Sequence, residues 1–181
     1  MLKVKVNPVA RGLIAIGAVA ALATGITFAA LNSQATLSGN TISATQGLQL
    51  STDGSTYAGS IPGFAFDVTP GDTTGVSQSF YLKNTTSSAI SLNLSVPAAV
   101  TFTGGTVNNS DVDLALSCTT PTLTLNSDLG SLTSSPVSIA GTLSAGSTAN
   151  CNVTATMTND AITTGTSVSS NSFDLQFDGT N

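Results

Sequence analysis

The sequence predicts an all-β protein, a jelly-roll-like antiparallel β-sandwich preceded by a cleavable signal peptide. Three observations carry this. Apolar and polar residues alternate with a period of two in seven separate stretches. Of the 181 residues, 54 are Ser or Thr, and Val, Leu, Asn and Gly are also abundant, a composition suited to strands joined by turns. No apolar stripe of helical period follows the first 31 residues.

In chain order, the first element is an export signal. Lys3, Lys5 and Arg11 precede the apolar run Leu13–Ala23, and Thr24-Gly25-Ile26-Thr27-Phe28-Ala29-Ala30 follows, with small residues at the cut. Cleavage is expected between Ala29 and Ala30, with Thr27 at the −3 position. An uncleaved anchor is the alternative, since Leu13 to Leu31 is 19 residues, long enough for a helix to span a bilayer. The short apolar region and the interruptions at Thr24 and Thr27 favour cleavage. The chain then divides into a signal at 1–29, an extended segment at 30–39 and a sandwich domain at 40–181. In the segment, Leu31, Ser33, Ala35 and Leu37 share one parity and Asn32, Gln34, Thr36 and Ser38 the other. Such a segment can add to an exposed sheet edge.

The strands follow. Leu48 and Leu50 flank Gln49; Phe64, Phe66 and Val68 alternate with Ala65 and Asp67. Phe80 and Leu82 alternate with Ser79, Tyr81 and Lys83; Ile90, Leu92, Leu94 and Val96 alternate with Ser91, Asn93 and Ser95. Val112 to Cys118, Cys151 to Met157 and Phe173 to Phe177 repeat the pattern. Each predicts a strand with one buried and one wet face. Pro70-Gly71-Asp72, Gly104-Gly105, Asn108-Asn109 and Ala145-Gly146-Ser147 predict turns, and Asn84–Ser88 links two strands at hairpin distance. Asn126–Ser135 reads as a loop.

Cys118 and Cys151 carry the parity of the apolar residues in their strands, so both sulfurs are expected to point inward. In an exported chain this predicts a disulfide, with two free buried thiols as the alternative in a reducing envelope. Beyond the signal, Lys83 is the only base against nine Asp, a formal charge of −8. That surface suits solubility and opposes binding to nucleic acid or anionic lipid. Asp111 and Asp113 form a D-x-D pair that could contribute to a calcium site. Four sequons occur, at Asn84, Asn93, Asn108 and Asn152.

Several functions are excluded. The chain has no His and no Glu. A Ser-His-Asp triad, a Cys-His pair and an HExxH zinc site are therefore impossible, and no cofactor is expected.

Further motifs carry a resemblance. Thr27-Phe28-Ala29-Ala30-Leu31-Asn32-Ser33, Asn40-Thr41-Ile42-Ser43-Ala44 with Gly47-Leu48-Gln49-Leu50, Pro70-Gly71-Asp72 followed by Phe80-Tyr81-Leu82-Lys83-Asn84, and Asn171–Phe177 stand in that order. Together they resemble the TasA/camelysin family of secreted biofilm-matrix fibre proteins, over about Thr27 to Val96 and the C-terminal ten residues. The resemblance implies a jelly-roll subunit secreted to the cell surface and joined head to tail into a homopolymer by donor-strand exchange. Ala30, Leu31, Ser33, Ala35 and Leu37 would form the donor strand, which is then expected to lie outside its own subunit's core. Membrane contact is expected only through the uncleaved precursor. Part of the family carries a metalloendopeptidase label, which the lack of His and Glu argues against here. A membrane-anchored adhesin and a type IV pilin-like subunit are the alternatives; the pilin reading is disfavoured because the apolar run carries no acidic residue.

Overall fold

The computed structural model describes residues 35–37, 40–45, 47–68, 74–104, 106–157 and 168–180. These residues form an all-β fold. In chain order the strands are β1 (Ala35–Leu37), β2 (Thr41–Ala44), β3 (Leu48–Ser51), β4 (Ser60–Pro62), β5 (Phe66–Val68), β6 (Val76–Asn84) and β7 (Ile90–Ser95). They continue with β8 (Phe102–Thr103), β9 (Val112–Thr119), β10 (Leu123–Asp128), β11 (Val137–Leu143), β12 (Thr148–Met157), β13 (Val168–Ser170) and β14 (Asp174–Thr180). One short helix, α1 (Leu129–Ser134), follows β10.

Ten strands form one sheet in the order β3-β6-β12-β9-β10-β11-β7-β14-β2-β4. Between β10 and β11 the only paired residues are Thr124 and Ala140, beside a bulge in β11 between Ile139 and Thr142. Gly141 sits in that bulge at φ 104, and a Cβ there would lie 2.6 Å from the Thr122 carbonyl oxygen. Only glycine fits both demands. At the far ends Leu50 and Ala58 exchange two backbone hydrogen bonds, 2.7 and 2.9 Å long. The sheet therefore nearly closes on itself.

Alternating side chains fill its interior. Leu82 on β6, Leu114 on β9, Val153 on β12 and Leu175 on β14 are all buried. Phe80 of β6 meets Phe177 of β14 with ring centroids 5.5 Å apart. Phe64 packs 6.2 Å from Phe80 and edge-on to Phe66 at 6.3 Å. Of the phenylalanines expected in the core, Phe66, Phe80, Phe173 and Phe177 are buried, while Phe64 and Phe102 are partly buried against it.

Four expectations need correction. The pairing is not wholly antiparallel, because β2 runs parallel to β14 and β1 parallel to β13. Asn84–Ser88 does not close a hairpin: β6 pairs with β3 and β12, β7 with β11 and β14, so this link crosses between sheet regions. Its conformation is set by Asn84, fully buried, whose Nδ2 donates to the carbonyls of Ser88, Leu143 and Ser144 while its Oδ1 accepts from Thr86 N and Oγ1. Asn126–Ser135 is not a loop; it completes β10 and forms α1, capped by Asp128 accepting from Ser131 N at 2.8 Å. Phe64 precedes β5 rather than belonging to it. The turn expected at Pro70–Asp72 lies outside the described residues.

Cys118 and Cys151 form the expected disulfide. They are register partners on β9 and β12, with Cα atoms 3.9 Å apart, and both are buried.

Candidate functional site

A second sheet, in the order β5-β1-β13-β8, carries the site. β1 lies between two strands that come from distant parts of the chain. Ala35, Thr36 and Leu37 oppose Val68, Asp67 and Phe66 of antiparallel β5, while Ala35 and Thr36 oppose Val168 and Ser169 of parallel β13. Among the described residues, β5 and β13 are joined only through β1. If β1 were removed, each would present an unpaired edge, and the slot would be open to another strand.

The slot is apolar where β1 ends. Leu37, Phe66 and Val68 are fully buried, and Val168 is 2% exposed. This corrects the expectation that the segment lies outside its own core: Leu37 is part of it, because the slot offers apolar burial that water does not. Ala35 also belongs to β1, whereas Ala29, Ala30, Leu31 and Ser33 lie outside the described residues.

Asn40 follows β1 and is 3% exposed. Its Nδ2 donates to the Phe64 carbonyl at 2.9 Å and to the Leu37 carbonyl at 3.4 Å. Its Oδ1 accepts from Phe173 N at 3.4 Å. Asn171 secures the far side, donating to Ala99 O at 3.1 Å and accepting from Thr101 N at 2.8 Å. On β13, the buried Ser170 Oγ has no hydrogen-bond partner among the described residues. As a single polar residue between strands, Asn40 leaves no periodic signal in the sequence.

One charged residue, Asp67, lies on β5 opposite Thr36, while Asp53 and Asp128 lie elsewhere. Asp53 accepts from Thr56 N and Ser55 N, both at 2.8 Å, and from Ser51 Oγ. These bonds, led by that of Thr56, hold its carboxyl well below the usual carboxylate range. The Ser131 hydroxyl and N–H lower the Asp128 carboxyl as well. Asp113 stands opposite Asp128 in register, and Asp111 accepts from Asn108 N at 2.7 Å. Among the described residues no group of three or more His, Cys, Asp or Glu side chains is placed to hold a metal ion. A shallow cleft of about 280 Å³ between α1 and the β7–β14 face includes Pro97, Leu132, Gln176 and Asp178, with Gln176 donating to Asp178 at 2.9 Å.

Of the sequons, Asn84 is buried, Asn93 accepts from Ser138 Oγ at 3.0 Å, Asn152 is exposed and accepts from Ser79 Oγ, and Asn108 is exposed. Among the described residues no helix is long and apolar enough to cross a membrane. Comparison with protein-family models, with curated proteins and with solved structures finds no match to this chain.

Proposed function

We propose that the chain is a structural subunit of an extracellular fibre, a jelly-roll-like sandwich exported by cleavage after Ala29 and joined head to tail by exchange of its N-terminal strand. One observation carries this reading: among the described residues β5 and β13 are bridged only by β1, a strand of three residues that precedes the other described strands. The same segment of a second copy would satisfy the same two edges and bury the same leucine. Contacts made within a subunit and between subunits are then nearly equivalent, the condition under which strands exchange at little cost. A structural role also fits the absence of His and Glu, and the buried disulfide fits an oxidising exterior. The cell surface or a biofilm matrix is the setting, and the partner is a second copy of this chain.

The test is a cysteine pair at register partners of β1 and β5, Thr36→Cys with Asp67→Cys. In fibres grown from mature protein and then oxidised, non-reducing electrophoresis should show a ladder of covalent multimers. Fibres that yield only internally cross-linked monomer would overturn the exchange.

A further inference from the structure

The end of β1 is tied to the rest of the molecule through one buried carboxamide. Asn40 reaches three elements at once: Leu37 at the end of β1, Phe64 before β5 and Phe173 before β14. The bonds are graded. The short one, 2.9 Å, holds Asn40 to Phe64, while the bond to the β1 carbonyl is 3.4 Å. A hydrogen bond of that length is weak. Asn40 is thus held firmly by the wall of the slot and loosely by the strand within it.

The side chain's chemistry matches this task. A carboxamide has two donors and an acceptor, and here it faces two carbonyls and one N–H. Aspartate of the same shape would set a carboxylate against two carbonyl oxygens. An aliphatic side chain would take this partner away from all three buried backbone groups. Downstream, Ile42 is fully buried in β2, which is fixed between β14 and β4. Upstream, β1 has no other described strand before it.

We propose that Asn40 is the latch of β1, a positioning residue that marks where the exchangeable segment ends and governs how readily it leaves the slot. The proposal rests on the strand-exchange reading for its consequence, though the latch itself is a property of the monomer. Release of Leu37 would cost Asn40 one of its two long bonds and leave the short bond to Phe64 in place. The carboxamide would then be ready to receive the corresponding carbonyl of an incoming strand.

Hydrogen exchange on the mature, monomeric full chain tests this, read separately for β1 and β12. In Asn40→Asp and in the milder Asn40→Ser, the amides of Ala35–Leu37 should exchange at least about tenfold faster relative to those of β12, the loss expected for one hydrogen bond. Fibres should then form sooner at equal concentration. Acceleration of β1 and β12 by the same factor would show that Asn40 only stabilises the whole fold, and would overturn the latch. Should neither variant fold, the wild-type chain decides: β1 must open in low denaturant before β12 does, and simultaneous opening overturns the proposal. Selective loosening of β1 without any fibres would leave the latch standing and count against the assembly reading alone.

Discussion

Gly63 lies so close to Asn40 that a Cβ built on it would sit 0.9 Å from the Asn40 carbonyl oxygen. The contact is with backbone, so no change of rotamer relieves it. The neighbouring pairing of Thr41 with Pro62 holds both segments in place. Gly63→Ala should lower stability by about 3 kcal/mol or more, as overpacking at a fixed backbone does. Gly59→Ala, where nothing lies within 4 Å, should change it by less than about 0.5 kcal/mol. Denaturant unfolding of the two variants side by side checks the contrast.

Leu37 is fully buried, so charge there should act on the single subunit before it acts on any assembly. Leu37→Ala should cost about 2–5 kcal/mol unless β1 detaches first, which would cap the loss. Leu37→Asp should release β1 outright, with amide protection lost at β1, β5 and β13 but retained at β12. Leu175→Asp, inside the nearly closed sheet, should abolish folding instead. Circular dichroism with hydrogen exchange separates these outcomes.

Cys118→Ala combined with Cys151→Ala should reduce stability by about 2–4 kcal/mol, because the bond closes a loop between residues 33 apart in sequence. The chain-entropy relation gives about 3.8 kcal/mol for that loop. Unfolding midpoints of the double variant against the oxidised protein provide the measurement.

Asn84 is enclosed by five hydrogen bonds, and Asn84→Ala would remove a donor from the Ser88, Leu143 and Ser144 carbonyls, of which the Leu143 bond is buried. A loss of about 3 kcal/mol is expected from thermal or denaturant melting. In a glycosylating expression host, peptide mass spectrometry should find glycan on exposed Asn108 in preference to Asn84.

Acid should loosen the fold at two turns. Asp53 and Asp128 have carboxyl groups held below their unfolded range by hydrogen bonds to the charged form. Their contribution is fully present above the unfolded pKa, near 4, and is lost as pH falls through the lower folded values. Stability should therefore be insensitive to these groups between pH 5 and 8, by the same reasoning, and decline below about pH 4. Asp53→Asn and Asp128→Asn should each flatten that decline in a pH series of melting temperatures.

Much of this architecture is legible in the sequence, and the exceptions have physical causes. β6, β7, β9, β12 and β14 announce themselves because buried side chains alternate with more exposed ones in each, as Phe80 and Leu82 do in β6 and Leu175 and Phe177 in β14. β11 hides its period because Gly141, in the bulge, stands where the next apolar side chain would fall between Ile139 and Leu143. β10 shows only two buried apolar residues, Leu123 and Leu125, and α1 only Leu129 and Leu132, too few to establish a period. The inward parity of the cysteines was readable, since it depends on local alternation alone. The slot was not, because β5 and β13 are 100 residues apart and, among the described residues, meet only through β1. Asn40, Gly63 and Asn84 act through contacts that no spacing encodes.

The position of β14 has a consequence for biogenesis. This strand follows every other described strand in the sequence, yet it lies between β7 and β2. A nascent chain that has not yet reached residue 174 therefore lacks an inner strand, and β2 has nothing to join it to β7. Such non-local closure is slow. Completion of the ten-stranded sheet accordingly waits for the last described strand, whatever order the earlier strands pair in.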